Sequence, residues 1–146
     1  MRTLALQCAR LLEGFRAAEL PMLFVHGDLC AENVVIAGSK AVGVIDFDFL
    51  HYSERLYDVA TLIDSLTGTQ PHRDAEIINE VIETYDSTVP LRTAERRALD
   101  LFRVRRNLAM LWYIVARHGT LRGTPLRNAR RMAALARTLG ARAASA

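Results

Sequence analysis

The sequence predicts an α+β domain, mainly α-helical, whose β-structure is confined to the first third of the chain. Three observations lead there. Apolar residues recur at helical spacing across most of residues 56–140, with Leu99, Phe102, Leu108, Leu111, Trp112 and Val115 forming the longest stripe. Short apolar or β-branched runs separated by turn residues cluster between 22 and 45. The 146 residues, 51% hydrophobic and 24% charged, supply the core of one ordinary domain and exclude both wholesale disorder and two full enzyme domains.

Taken in order, Leu4, Cys8, Leu11, Leu12 and Phe15 alternate with Arg10, Glu13 and Arg16, predicting an amphipathic helix over 3–19 that stops before Pro21. A strand over 22–25 follows, then a polar, turn-rich stretch over 26–33. Strands at 34–36 and 41–45, joined by Gly38-Ser39-Lys40, make a β-hairpin. Residues 47–55 read as irregular. Asp58 stands where an N-cap or first-turn acid opens a helix through Val59, Leu62, Ile63 and Leu66. Ile77, Ile78, Val81, Ile82 and Tyr85 form the next stripe. A long helix over 93–118 ends at Gly119, another over 125–139 ends at Gly140, and 141–146 is a fraying tail. The expected total is about four or five helices.

Composition narrows the function classes. No apolar run approaches the roughly 20 residues of a membrane helix, and Arg2, Arg10 and Glu13 interrupt any signal-peptide core, so a cytoplasmic location is expected. Cys8 and Cys30 lack zinc-type spacing and are expected to be free thiols. The net charge of +3 hides a split: residues 1–88 carry six basic residues against 14 acids, and 89–146 carry 13 Arg against Glu95 and Asp100. Such a basic segment fits a nucleic acid or an anionic substrate, but a solvated helix face is the simpler reading. Few aromatics interleave with the Arg residues, which disfavours nucleic acid.

Two clusters carry chemistry: His26-Gly27-Asp28, followed five positions after Asp28 by Asn33, and, beyond the hairpin, Ile45-Asp46-Phe47-Asp48. If Ala37 pairs with Val42 across a four-residue loop, Val34 meets Ile45 and Asn33 falls opposite Asp46; a one-residue shift breaks that alignment. An amide oxygen and carboxylates at one end of the hairpin suit Mg²⁺, a hard cation completed by waters and substrate phosphates.

These residues, with the later Tyr57-Asp58-Val59-Ala60, resemble the aminoglycoside phosphotransferase and choline kinase-like family, which has a protein-kinase-like fold. The resemblance implies Asp28 as the catalytic base, Asn33 and Asp46 as Mg²⁺ ligands with Asp48 as an additional candidate, and His26 and Asp58 as supports of the loop. It implies Mg²⁺ and ATP, or another nucleoside triphosphate, as cofactors and a small-molecule hydroxyl as acceptor. Gly27, where protein kinases carry Arg, favours small-molecule kinases.

The resemblance covers a kinase-like C-terminal lobe. It divides the single domain 1–146 into a leading helix (1–20), a catalytic loop and metal-binding hairpin (22–48), a helical subdomain (56–140) and the tail (141–146). No Gly-rich strand-loop precedes the catalytic loop, and the sole lysine, Lys40, sits on the hairpin turn, so the N-terminal lobe and its phosphate-binding Lys are not found. The leading expectation is the catalytic lobe of an ATP- and Mg²⁺-dependent phosphotransferase, incomplete and weak or inactive alone, with a separate N-terminal lobe as a potential partner. The alternative is a noncatalytic, pseudokinase-like binding module or truncated product that keeps the metal-site scaffold. The Arg-rich C-terminal region disfavours a polycationic aminoglycoside and leaves a neutral or anionic acceptor, such as a sugar or amino-acid derivative.

Overall fold

A computed structural model describes residues 20–67 and 72–119, together with 6, 10 and 13. In chain order these form β1 (Met22–Val25), a 3-10 turn (Ala31–Asn33), β2 (Val34–Ala37), β3 (Lys40–Val44), β4 (His51–Glu54), α1 (Leu56–Leu66), α2 (Asp74–Thr88) and α3 (Thr93–His118). The architecture is α+β and mainly helical. Leu6, Arg10 and Glu13 are helical and exposed; the rest of the leading helix, the helix expected over 125–139 and the tail lie outside the described residues. None of the described helices is long and apolar enough to cross a membrane.

Two antiparallel two-stranded sheets frame the candidate site. In the first, β1 pairs with β4, Met22 opposite Glu54 and Val25 opposite His51. This corrects the irregular reading of 47–55. His51-Tyr52-Ser53-Glu54 has no apolar alternation of its own and becomes a strand because β1 offers its backbone a ladder. The second sheet is the hairpin. Its loop is the two residues Gly38 and Ser39, with Ala37 opposite Lys40, rather than the four-residue loop. Gly38 has φ 61°, a left-handed conformation that a two-residue hairpin turn requires and glycine supplies without a Cβ penalty.

A bulge then shifts the register between Val35 and Ile36, making Val42 the extra residue on β3. Val34 therefore meets Val44, not Ile45, and Ile45 N–H donates to the Asn33 carbonyl at 3.0 Å. Asn33 lies opposite Ile45, one position from the expected Asp46.

The core is built from α1 and α3. Leu56, Val59, Ala60 and Ile63 on α1 pack with Ala98, Leu99 and Phe102 on α3, and Leu20 and Leu91 belong to the same cluster. Spacings of three and four residues put each set on one helix face. α2 buries no residue fully; Ile78, Val81, Ile82 and Tyr85 rest against the core from outside.

The charge split becomes a set of ion pairs between the two halves of the chain. Arg55, fixed at the start of α1, meets Glu95 at 2.6 Å in the interior, with side chains only 9% and 1% exposed. Burial opposes the Glu95 charge, but hydrogen bonds from Arg55 and from the Arg92 backbone N–H hold its carboxyl below the ordinary value. Arg103 pairs with Asp64 at 2.9 Å, and the Asn107 amide donates to the other Asp64 oxygen. Burial still pushes the Asp64 carboxyl up, because Arg103, Arg106 and Asn107 pull it down without cancelling the desolvation. Arg105 pairs with Glu54 at 3.0 Å and Arg96 with Asp86 at 2.6 Å. Arg103 is a buried partner for an acid of the first half, which replaces the solvated-face reading for it, while Arg96 and Arg105 pair with acids of the first half from a solvated face.

Candidate active site

The site is assembled around the loop leaving β1. Val25 and His26 are buried, which fixes where the loop departs. His26 N–H donates to Asp58 Oδ2 at 2.7 Å and Gly27 N–H to Asp58 Oδ1 at 2.9 Å. Asp58 lies in the first turn of α1, yet its carboxylate serves these loop donors. Gly27 has φ 82°, and a Cβ there would stand 2.1 Å from the Phe49 carbonyl oxygen. Only glycine fits, which explains the Gly in the sequence pattern by sterics.

His26 ties this loop to the hairpin. Its Nδ1 accepts the Asp28 N–H at 3.3 Å, which leaves Nε2–H to donate to the Ile45 carbonyl at 2.9 Å. The Phe47 ring packs against the imidazole, centroids 4.6 Å apart. Asn33 is buried at the end of the 3-10 turn, and its amide nitrogen donates to the Asp28 carbonyl at 2.9 Å. That bond assigns the amide orientation and makes Oδ1 the atom available to a cation. His26, Asp28, Asn33, Ile45 and Asp58 thus form one hydrogen-bonded unit.

Asp46 continues directly from Ile45. It is the sole non-glycine residue with positive φ, 65°, among the described residues. Strand alternation therefore stops at this position, and the one-residue change of register does not decide on which side the carboxylate lies. Such strained conformations cluster at functional positions. Asp46 and Asp48 are exposed, and among the described residues no side-chain hydrogen bond ties either into the network. Lys40 sits at the hairpin tip, the end away from Asp46.

The sequence reading missed Arg106. From α3, 78 residues away, its Nη2 lies 3.1 Å from Asp28 Oδ1. The pair stands at a cavity of about 120 Å³ whose walls include Gly27, Phe49, Tyr57 and Met110. Burial pushes the Tyr57 phenol up, with Arg106 and Arg105 opposing. No signal in the sequence singles out Arg106 among 18 arginines, because the helix face it occupies is set by packing across the core.

As a cation site, the donor set is an amide oxygen and carboxylates, the hard ligands that suit Mg²⁺. No group of three His, Cys, Asp or Glu that could hold a metal occurs among the described residues. Mg²⁺ sites completed by waters and phosphates need only one or two protein carboxylates, so Asn33 and Asp46 fit that mode and not a closed protein cage.

Comparison with known proteins gives a family match that spans residues 26–58 of this site. The model of the phosphotransferase enzyme family, APH, matches residues 3–95. Homoserine kinase of Methylobacillus flagellatus is 32% identical over 85 residues, 58% of this chain and 27% of that protein. Homoserine kinase of Gluconacetobacter diazotrophicus is 35% identical over 85 residues, 56% of this chain and 26% of that protein. Homoserine kinase of Zymomonas mobilis is 32% identical over 88 residues, 60% and 28% respectively. The chain spans little more than a quarter of the length of these curated relatives.

Proposed function

This chain belongs to the phosphotransferase enzyme family, and we propose that it is the catalytic part of an ATP- and Mg²⁺-dependent kinase that phosphorylates the hydroxyl of a small amino acid such as homoserine. The observation that carries the reading is the unit described above: Asp28 held on a loop by Asp58 and His26, with Asn33 bonded to its carbonyl and Asp46 beside Ile45. The names of the similar proteins support the acceptor class.

In the proposed reaction the Asp28 carboxylate accepts the hydroxyl proton as the acceptor oxygen bonds to the γ-phosphorus of ATP and the bond to the ADP oxygen breaks. Asn33 and Asp46 would hold Mg²⁺, which when bound offsets charge on the phosphates. His26 and Asp58 position Asp28 without touching the reacting atoms. A misplacement of about 1 Å costs on the order of 10²-fold in rate, which is why the loop is tied at so many points. Chain division as a leading helix, catalytic loop with hairpin, and helical subdomain follows from this reading, with a nucleotide-binding lobe as the expected complement.

The test is phosphate transfer from ATP to homoserine by the chain alone and by a longer protein containing it, each beside Asp28→Asn. Transfer by the longer protein that Asp28→Asn abolishes is the expected result. Equal activity of the variant removes Asp28 as base, and no transfer in any form leaves the noncatalytic binding module.

A further inference from the structure

Arg106 gives the site a group that proton transfer to Asp28 does not need. Its side chain is 14% exposed and that of Asp28 is 22% exposed, and both line the small cavity. A guanidinium carries five N–H donors in a planar fork, and one Asp28 oxygen takes only one of them. Its remaining donors suit a second carboxylate, for which the fork geometry is adapted. The other walls, Phe49, Tyr57, Ala109, Met110 and Tyr113, are aromatic or apolar, so a charge entering here has Arg106 as its partner. Aliphatic atoms between that charge and the reacting hydroxyl would contact the same walls.

About 120 Å³ is far below the roughly 300–1,000 Å³ of pockets for drug-sized ligands. The cavity is open to solvent, so this volume suits a small group such as a carboxylate at Arg106 and sets no upper limit on the rest of a ligand.

We infer that Arg106 is a specificity-determining residue that binds the carboxylate of a small hydroxy acid and so places its hydroxyl at Asp28. The inference deepens the proposed function and rests on its assignment of Asp28. Asp28 and the substrate share one guanidinium, and binding draws Arg106 from one hydrogen-bonded carboxylate to two. Recognition is of charge and planar shape, so a carboxamide of equal size is the matched control.

The test is binding, measured by NMR titration without ATP, of homoserine and of its carboxamide to the chain, to Arg106→Gln and to Arg106→Lys. The wild type should favour the carboxylate by at least about tenfold, Arg106→Gln should erase the preference, and Arg106→Lys should restore part of it. Equal binding of acid and amide by the wild type overturns the inference, as does an unchanged preference in folded Arg106→Gln. Retained carboxylate preference without phosphate transfer in any form supports the inference while the proposed reaction falls, so the two fail separately.

Discussion

Asp58 holds the backbone ahead of Asp28 with both carboxylate oxygens, Oδ2 at 2.7 Å from the His26 nitrogen and Oδ1 at 2.9 Å from the Gly27 nitrogen. A carboxamide cannot copy this, since one of its two heads is a donor and would face an N–H. Asp58→Asn should therefore destabilise the chain by about 1–3 kcal/mol, the cost of a partly buried donor left without an acceptor. Urea unfolding measures it. If Asp28 is the base, the same variant should lower kcat in the active protein, because the loop that carries Asp28 is displaced. An unchanged kcat would show that the loop holds its shape by other means.

Gly27 is a sharper structural constraint. Gly27→Ala must place a Cβ 2.1 Å from the Phe49 carbonyl and hold a non-glycine residue at φ 82°. Backbone strain of about 1–3 kcal/mol adds to the clash, so the variant should lose on the order of 3 kcal/mol or more and lower the thermal midpoint by many degrees. Gly38→Ala is the control. It shares positive φ, but a Cβ there meets nothing within 4 Å, so only the strain applies.

What could be read from the sequence divides along locality. The loop over 26–33, the hairpin and the start of α1 are legible because Gly27, Gly38 and Asp58 have local signatures: turn chemistry and helix ends depend on nearby residues. β4 is not legible because His51–Glu54 becomes a strand only by pairing with Met22–Val25. The hairpin register differs by one residue because the turn holds two residues where four are expected, a shift of two, and the extra residue Val42 recovers one of them; nothing in an apolar run marks that bulge. Arg106 is hidden for the same reason: Asp28 is 78 positions away, and the encounter depends on how α3 lies across α1. The charge split was visible, but its meaning as Arg55–Glu95, Arg103–Asp64 and Arg105–Glu54 pairs needed the packing.

Two of those pairs should respond to pH with opposite sign. Glu95 is held below the ordinary value, so its contribution is fully present above an unfolded value of about 4.3 and is lost as pH falls through the folded one. Asp64 is pushed up, so its contribution is present below an unfolded value of about 3.9 and is lost as pH rises through the folded one. Unfolding free energy measured from pH 3 to 7, limits chosen at about a unit or more around these values, should lose part of its acid-side decline in Glu95→Gln. Asp64→Asn should make that decline steeper. The same direction of change in both variants would contradict the assigned shifts. Glu95→Ala, which leaves Arg55 buried without its partner, should cost about 3–5 kcal/mol at neutral pH. Replacing both Arg55 and Glu95 by apolar residues should cost much less, since no unpaired charge remains.

Asn33 is expected to act with both ends of its amide, and substitutions can separate them. The nitrogen donates to the Asp28 carbonyl, and the oxygen is the proposed Mg²⁺ ligand. Asn33→Ala removes both. Asn33→Asp keeps an oxygen ligand and loses the donor, placing a carboxylate against a carbonyl. If the oxygen holds the cation, Asn33→Ala should raise the Mg²⁺ concentration for half-maximal transfer by about 10-fold or more, in the range seen when ligand support is lost. Asn33→Asp should keep a lower Mg²⁺ requirement than Asn33→Ala while unfolding more readily than the wild type, by roughly 1–3 kcal/mol for the unmatched group. Mn²⁺ titration followed by electron paramagnetic resonance reads cation binding apart from turnover. Equal Mn²⁺ affinity in Asn33→Ala and the wild type would remove Asn33 from the metal site and leave it as the residue that fixes the turn behind Asp28.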